Sequence, residues 1–149
     1  MSRNLNRREA LAAGAAFAAG FGAASTPARA SNDYAEQLRA FTGGKEPVEA
    51  RLKIELPELA ENGNTVPLAV SVEGPTSPES HVQEILVVAP ANPNARVARF
   101  HFSPHSVPEA ATRIRLAESQ SVIAIAKMSD GTFLSAARPI KVTIGGCGG

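Results

Sequence analysis

Alternation of apolar and polar residues, with a period of two, organises most of this chain. In "VEARLKIEL", Val48, Ala50, Leu52, Ile54 and Leu56 are set against Glu49, Arg51, Lys53 and Glu55. Successive side chains of an extended strand point to opposite faces, so this spacing predicts a strand with one dry and one wet face. Pro57 ends it, and Glu61 to Asn64 ("ENGN") carries an Asn-Gly turn signal. "VPLAVSV" then puts Val66, Leu68, Val70 and Val72 on one face. "VQEILVVA", from Val82 to Ala89, is almost continuously apolar and predicts a central strand covered on both sides. "ANPN" turns the chain, and "RVARFHF" returns with Ala98, Phe100 and Phe102 inward. "TRIRL" opposes Ile114 and Leu116 to Arg113 and Arg115, and "SVIAIAKM" runs to the Asp130-Gly131 hairpin signal. "TFLSAA" and "PIKVTI" complete the set, with Ile140, Val142 and Ile144 expected to anchor the last strand in the core.

Helical spacing occurs once in this body, in "SNDYAEQLRAFTGG". Tyr34, Leu38 and Phe41 share a face, Asn32 or Asp33 can cap the start, and Gly43 or Gly44 ends the helix. About eight short strands separated by turn residues, with no alternating helices, predict an all-β sandwich of immunoglobulin-like type. A closed barrel is the alternative.

The first 30 residues follow a different plan. Arg3, Arg7 and Arg8 make a basic start, Ala10 to Ala24 is rich in Ala and Gly, and Ala28-Arg29-Ala30 forms a small-x-small cleavage site. This is the three-part layout of an export signal. The pair Arg7-Arg8 followed by Leu11 fits a twin-arginine signal, with Ala10 in place of the usual Phe. An ordinary secretory signal is the alternative. The apolar stretch is shorter than the roughly 20 strongly apolar residues that a spanning helix needs. Residues 1–30 are thus read as the signal and 31–149 as one domain, expected to be soluble in the periplasm. The leader holds four Arg and one Glu, so its removal takes the net charge from +1 to about −2. No basic excess is left to suggest nucleic acid.

Few residues of the body suggest chemistry. His101 and His105 are four apart, but on a predicted strand and the loop after it, so helical metal-ligand geometry does not apply. No metal site is expected. Ser103 and Ser106 lack a nucleophile-elbow pattern, and neither a phosphate loop nor a dinucleotide fingerprint occurs. The exception is the end of the chain, "IGGCGG", where the only cysteine, Cys147, stands between Gly145-Gly146 and Gly148-Gly149. Glycines offer a core nothing to pack, so the thiol is expected to be exposed on an arm flexible at its base and rooted by the last strand. Five residues reach at most roughly 17 Å. An unpaired cysteine in an exported chain points to intermolecular pairing or to a reactive thiol. Prenylation would need the cysteine fourth from the end, and here it is third. A terminal Gly-Gly also ends ubiquitin-like sulfur carriers, but their activation needs ATP, which the periplasm lacks.

The ending "VTIGGCGG", with "LPELAENGNTVPLAVSV" and "TRIRLAESQSVIAIAKMSDG" upstream, resembles the SoxY family. These are sulfur-carrying subunits of the periplasmic thiosulfate-oxidising Sox system. The resemblance spans almost the whole body, and Gly145 to Gly149 match the family's terminal motif completely. It implies that Cys147 is the covalent attachment site for sulfur intermediates and that Gly145, Gly146, Gly148 and Gly149 form the carrier arm. It also implies a SoxZ subunit as heterodimer partner. A haem protein would load thiosulfate, a hydrolase would release sulfate, and in some systems a sulfane dehydrogenase would oxidise the remaining sulfur. On this reading the protein is a carrier without cofactor or catalysis of its own. No basic residue adjoins Cys147, so activation of its thiol is expected from the partner's site. The reading from a different class is an immunoglobulin-like interaction module whose cysteine only forms an intermolecular disulfide.

Overall fold

Two sheets of unequal size carry the alternation. The structure is a computed structural model and describes residues 33–74 and 77–146; the expected leader lies outside these. The elements run α1 (Tyr34–Thr42), β1 (Val48–Glu49), β2 (Leu52–Glu55), β3 (Leu59–Asn62), β4 (Val66–Val72) and β5 (Val82–Val88). They continue with β6 (Arg96–His101), β7 (Glu109–Ile114), β8 (Gln120–Met128) and β9 (Phe133–Ile144). The larger sheet has the order β1-β9-β8-β5-β6, with β3 also paired to β9. The smaller has the order β2-β4-β7. The architecture is the expected all-β, immunoglobulin-like sandwich.

The core lies between the sheets. Leu68, Val70 and Val72 of β4 pack with Ile85 and Val87 of β5 and with Val122, Ala124 and Ala126 of β8, all buried. β5 is central, flanked by β8 and β6, which accounts for its unbroken apolar run. The hairpin between β8 and β9 turns at Asp130-Gly131, where Gly131 has φ +83°. Helix α1 ends at Gly43, which adopts the left-handed conformation. It packs Phe41 edge-on against Phe133, ring centroids 6.0 Å apart.

Three elements differ from the pattern reading. The stretch from Val48 to Leu56 is not one strand: it breaks at Arg51, which has φ +56°. The carbonyl of Ala50 accepts from Leu52 N–H at 2.6 Å, and that of Arg51 from Glu73 N–H at 2.8 Å. β1 therefore runs parallel to β9 in one sheet, while β2 pairs antiparallel with β4 in the other. A positive φ at an arginine is uncommon and leaves no mark on the hydrophobic period. Second, "TFLSAA" and "PIKVTI" form a single strand through Pro139. Lys141 N–H points outward, to the carbonyl of Glu58. Two residues earlier, Pro139 faces the same edge, in the gap between β1 (opposite Leu134 and Ser135) and β3 (opposite Lys141 onward). No donor is needed there, so the proline does not interrupt the strand. Third, β3 occupies part of the segment read as a turn and pairs parallel with the end of β9.

The anchoring of β9 also differs at its end. Ile140 is buried and Val142 half-buried, but Ile144 is 66% exposed. It keeps the parity of Ile140, yet the strand has run past the side chains that cover its inner face. Hydrophobic anchoring ends at Val142, and the backbone takes over.

Candidate functional site

β9 delivers the chain to a rim where three stretches of backbone meet. They are the turn after β3 (Asn62 to Asn64), the loop after β7 (Arg115 to Ser119) and the terminal segment from Ile144 to Gly146. Gly63 N–H donates to the carbonyl of Ile144 at 2.7 Å. The carbonyl of Gly63 accepts from Leu116 N–H at 2.8 Å, and that of Leu116 accepts from Gly146 N–H at 2.8 Å. The chain's last described residues are thereby held by the fold, and Gly146 is buried.

Glycine is required here for room. A Cβ on Gly63 would stand 2.2 Å from the Leu116 carbonyl oxygen and 2.7 Å from the Gly146 nitrogen. One on Gly145 would stand 2.0 Å from the Ala117 oxygen, and one on Gly146 2.8 Å from the Gly63 oxygen. None of the three has a positive φ. Gly145 and Gly146, expected as the base of a flexible arm, are thus held in close contact with the fold. They pack backbone to backbone, which small residues permit and larger ones prevent.

Behind this contact stands Asn92, 1% exposed, at the turn before β6. Its Nδ2 donates to the Arg115 carbonyl at 2.8 Å. Its Oδ1 accepts from Ala117 N–H at 2.9 Å and from Gln120 Nε2 at 3.1 Å. A buried amide bonded on both sides of Leu116 fixes the carbonyl that receives Gly146. The Ser119 hydroxyl adds a bond from Val142 N–H at 2.9 Å. Sequence reading took Gly63 and Asn92 only as turn residues; their pairing across 53 and 25 positions of chain has no local signature.

Of the residues singled out in the sequence, Gly145 and Gly146 are the ones this rim contains. Cys147, Gly148 and Gly149 lie outside the described residues, as do Arg7 and Arg8. Elsewhere, His101 Nδ1 lies 2.9 Å from Glu84 Oε1, which also takes the Arg99 guanidinium. His105 is exposed on the following loop, and Ser103 and Ser106 bond each other through their hydroxyls at 2.7 Å. Among the described residues no three His, Cys, Asp or Glu side chains are grouped as a metal ion would need. A groove of about 1050 Å³ lies along β2, β4, β7 and the middle of β9. It is lined mainly by aliphatic side chains, with Lys53, Glu55, Arg113 and Arg138 among them, and its lining includes neither histidine nor cysteine.

Among the described residues, the β-sandwich brings the end of β9 and the two glycines after it against the turns that follow β3 and β7. The model of the family described as sulfur oxidation protein SoxY matches residues 38–147, and the chain belongs to that family. Its structure is similar to the sulfur carrier protein SoxY from Chlorobium limicola f thiosulfatophilum. The two are 30% identical, with a TM-score of 0.62, over 72% of this chain and 89% of that one. The fold also resembles superoxide reductase (neelaredoxin) from Ignicoccus hospitalis, at 26% identity and TM-score 0.54, over 61% of this chain and 79% of that one. A third likeness, superoxide reductase from Nanoarchaeum equitans, has 18% identity and TM-score 0.51, over 64% and 95% of the two chains. These last two are likenesses of fold. No curated protein sequence matches. Family and neighbour together give the chain a sulfur-oxidation carrier role in the Sox system.

Proposed function

We propose that the chain carries sulfur intermediates covalently on the thiol of Cys147 and presents them to successive enzymes at the end of its glycine-flanked terminus. The observation that carries this reading is the family match, which extends through Cys147, the only cysteine of the chain. Oxidative coupling of the thiolate to thiosulfate would form a sulfur–sulfur bond, giving Cys–S–S–SO₃⁻ and passing two electrons to a haem partner. Hydrolysis by a second partner would then release sulfate and two protons and leave Cys–S–S⁻. A sulfane dehydrogenase, where present, would oxidise that remaining sulfur. Sulfur–sulfur bonds suit such a relay because thiolate attack makes and breaks them reversibly. The chain itself contributes binding and presentation, without catalysis.

The same reading includes a SoxZ-like subunit as heterodimer partner and a periplasmic location reached through the leader bearing Arg7 and Arg8. A leader of the twin-arginine kind carries folded cargo, so the partner can travel bound. An exported chain with one thiol fits a compartment where that thiol is handled by dedicated enzymes.

Intact-mass measurement tests the proposal. Wild-type protein incubated with thiosulfate and the loading enzyme should gain adducts of thiosulfate and sulfur mass. Cys147→Ser should gain none while keeping its unfolding midpoint, since the change alters none of the described core residues. Loading of the Ser variant, or a wild-type spectrum containing only the disulfide dimer, would overturn the carrier reading.

A further inference from the structure

The terminal motif holds five residues, yet the fold has already captured two of them. Gly146 N–H is bonded to the Leu116 carbonyl, and the Ile144 carbonyl is bonded to Gly63 N–H. Cys147 is the next residue of the chain. A tether counted from Ile144 would let the thiol sweep a far larger volume.

We infer that Gly63 is a positioning residue for the carrier thiol: its backbone, braced through Leu116 by Asn92, docks Gly146 and fixes the point from which Cys147 projects. This rests on the carrier role proposed for Cys147, and it assigns a function to Gly63 and Asn92, which stand 84 and 55 positions before the thiol in sequence. Two observations carry it. The relay Ile144–Gly63–Leu116–Gly146 closes through three backbone hydrogen bonds of 2.7–2.8 Å. The second is spatial: Gly63 and Gly146 face each other, a Cβ on Gly63 standing 2.7 Å from the Gly146 nitrogen and one on Gly146 2.8 Å from the Gly63 oxygen, while a Cβ on Gly145 would meet the Ala117 oxygen at 2.0 Å. A terminus that only needed to swing would need glycines in itself and none in the turn facing it. The dock makes loading a reaction of a located thiol, and prepositioning of a reacting group lowers the barrier of each encounter. Asn92 acts one layer back, bonding the residues on both sides of Leu116.

The test uses the full mature chain with its partner subunit and the loading enzyme. In wild type, hydrogen exchange should show the Gly146 and Leu116 amides strongly protected. Gly145→Ala should release the Gly146 segment, because its Cβ would meet the Ala117 oxygen at 2.0 Å; Gly63→Ala should release it from the opposite side without touching the arm. In both variants Gly146 protection should fall by tenfold or more, and enzyme-catalysed loading by on the order of tenfold in kcat/KM. Alkylation of Cys147 by iodoacetamide should stay within about twofold of wild type, a result that separates lost positioning from a damaged thiol. A wild-type Gly146 amide that exchanges at the free-peptide rate would overturn the inference. So would either released variant loading as fast as wild type, or faster. Should Gly63→Ala not fold, wild-type exchange and Gly145→Ala decide the matter. Failure of wild type to load at all would sink the carrier proposal and leave the dock readable by exchange alone.

Discussion

The two ends of β9 both depend on glycine, for different reasons. At the start, Gly131 turns the chain with φ +83°, and the nearest atom to a Cβ there would be the flexible Lys45 Nζ at 3.4 Å. At the far end, Gly145 and Gly146 have no positive φ, but a Cβ would meet carbonyl oxygens at 2.0 and 2.8 Å. The first end needs a conformation that side chains resist. The second needs space. Conformation is a property of one residue and its neighbours; space is set by whatever the fold brings alongside.

The largest loss of stability should follow Gly63→Ala. The new methyl would stand mid-chain between Leu116 and Gly146, and releasing the Gly146 segment costs its hydrogen bonds while leaving the clash with the Leu116 carbonyl. Overpacking of this kind costs roughly 1–3 kcal/mol, and a carbonyl at 2.2 Å puts it at the upper end. Urea unfolding should show it as a lowered midpoint. Gly63→Asn should fare no better, because a residue tolerant of unusual dihedrals still carries a Cβ.

At the other end of β9 the substitution pattern should reverse. Gly131→Ala forces a side chain into the left-handed region at about 1–2 kcal/mol. Gly131→Asn should recover much of that, since Asn enters this region far more readily than most residues. If Asn rescued position 63 and not position 131, the assignment of space to one end and conformation to the other would be wrong. The paired urea midpoints of the four variants decide it.

This contrast also explains what could be read in advance. The Asp130-Gly131 hairpin is a dipeptide signal between two apolar runs, and it was legible because its cause is local. The alternation of β4 and the apolar run of β5 were legible for the same reason: burial imposes its period on adjacent positions. The dock joins Gly63, Leu116 and Gly146, whose backbones meet only once both sheets have formed, and a backbone hydrogen bond leaves no side-chain mark. Arg51 was hidden similarly, because its break preserves the alternation on either side while sending β1 and β2 to different sheets. The terminal motif was conspicuous, but its composition suggested freedom where the fold supplies a partner. Gly63 itself was visible as a turn, and only the atoms facing it show why a larger residue is excluded.

The smallest expected effect separates the two ends by pH. The Asp130 carboxylate accepts from the Thr132 hydroxyl at 2.6 Å and from Thr132 N–H at 2.8 Å. These bonds, the side-chain one foremost, hold its carboxyl below the usual carboxylate range. An unfolded Asp titrates at about 3.9, so on acidification the unfolded chain takes up the proton first. The stabilisation is therefore complete above that value and lost as pH falls through the lower folded pKa. Asp130→Asn keeps an acceptor but cannot ionise, so it lacks this dependence. The stability difference between wild type and Asp130→Asn should be level from pH 7 to about 5, then shrink below about 4. The dock has no ionisable group in its relay, only main-chain N–H and C=O of Gly63, Leu116, Ile144 and Gly146. Over the same window the opening free energy of the Gly146 amide, corrected for intrinsic exchange rate, should stay level while the hairpin term fades. A Gly146 opening that tracks the Asp130 titration would mean that the two ends of β9 are coupled through the strand, and that the dock is not an independent element.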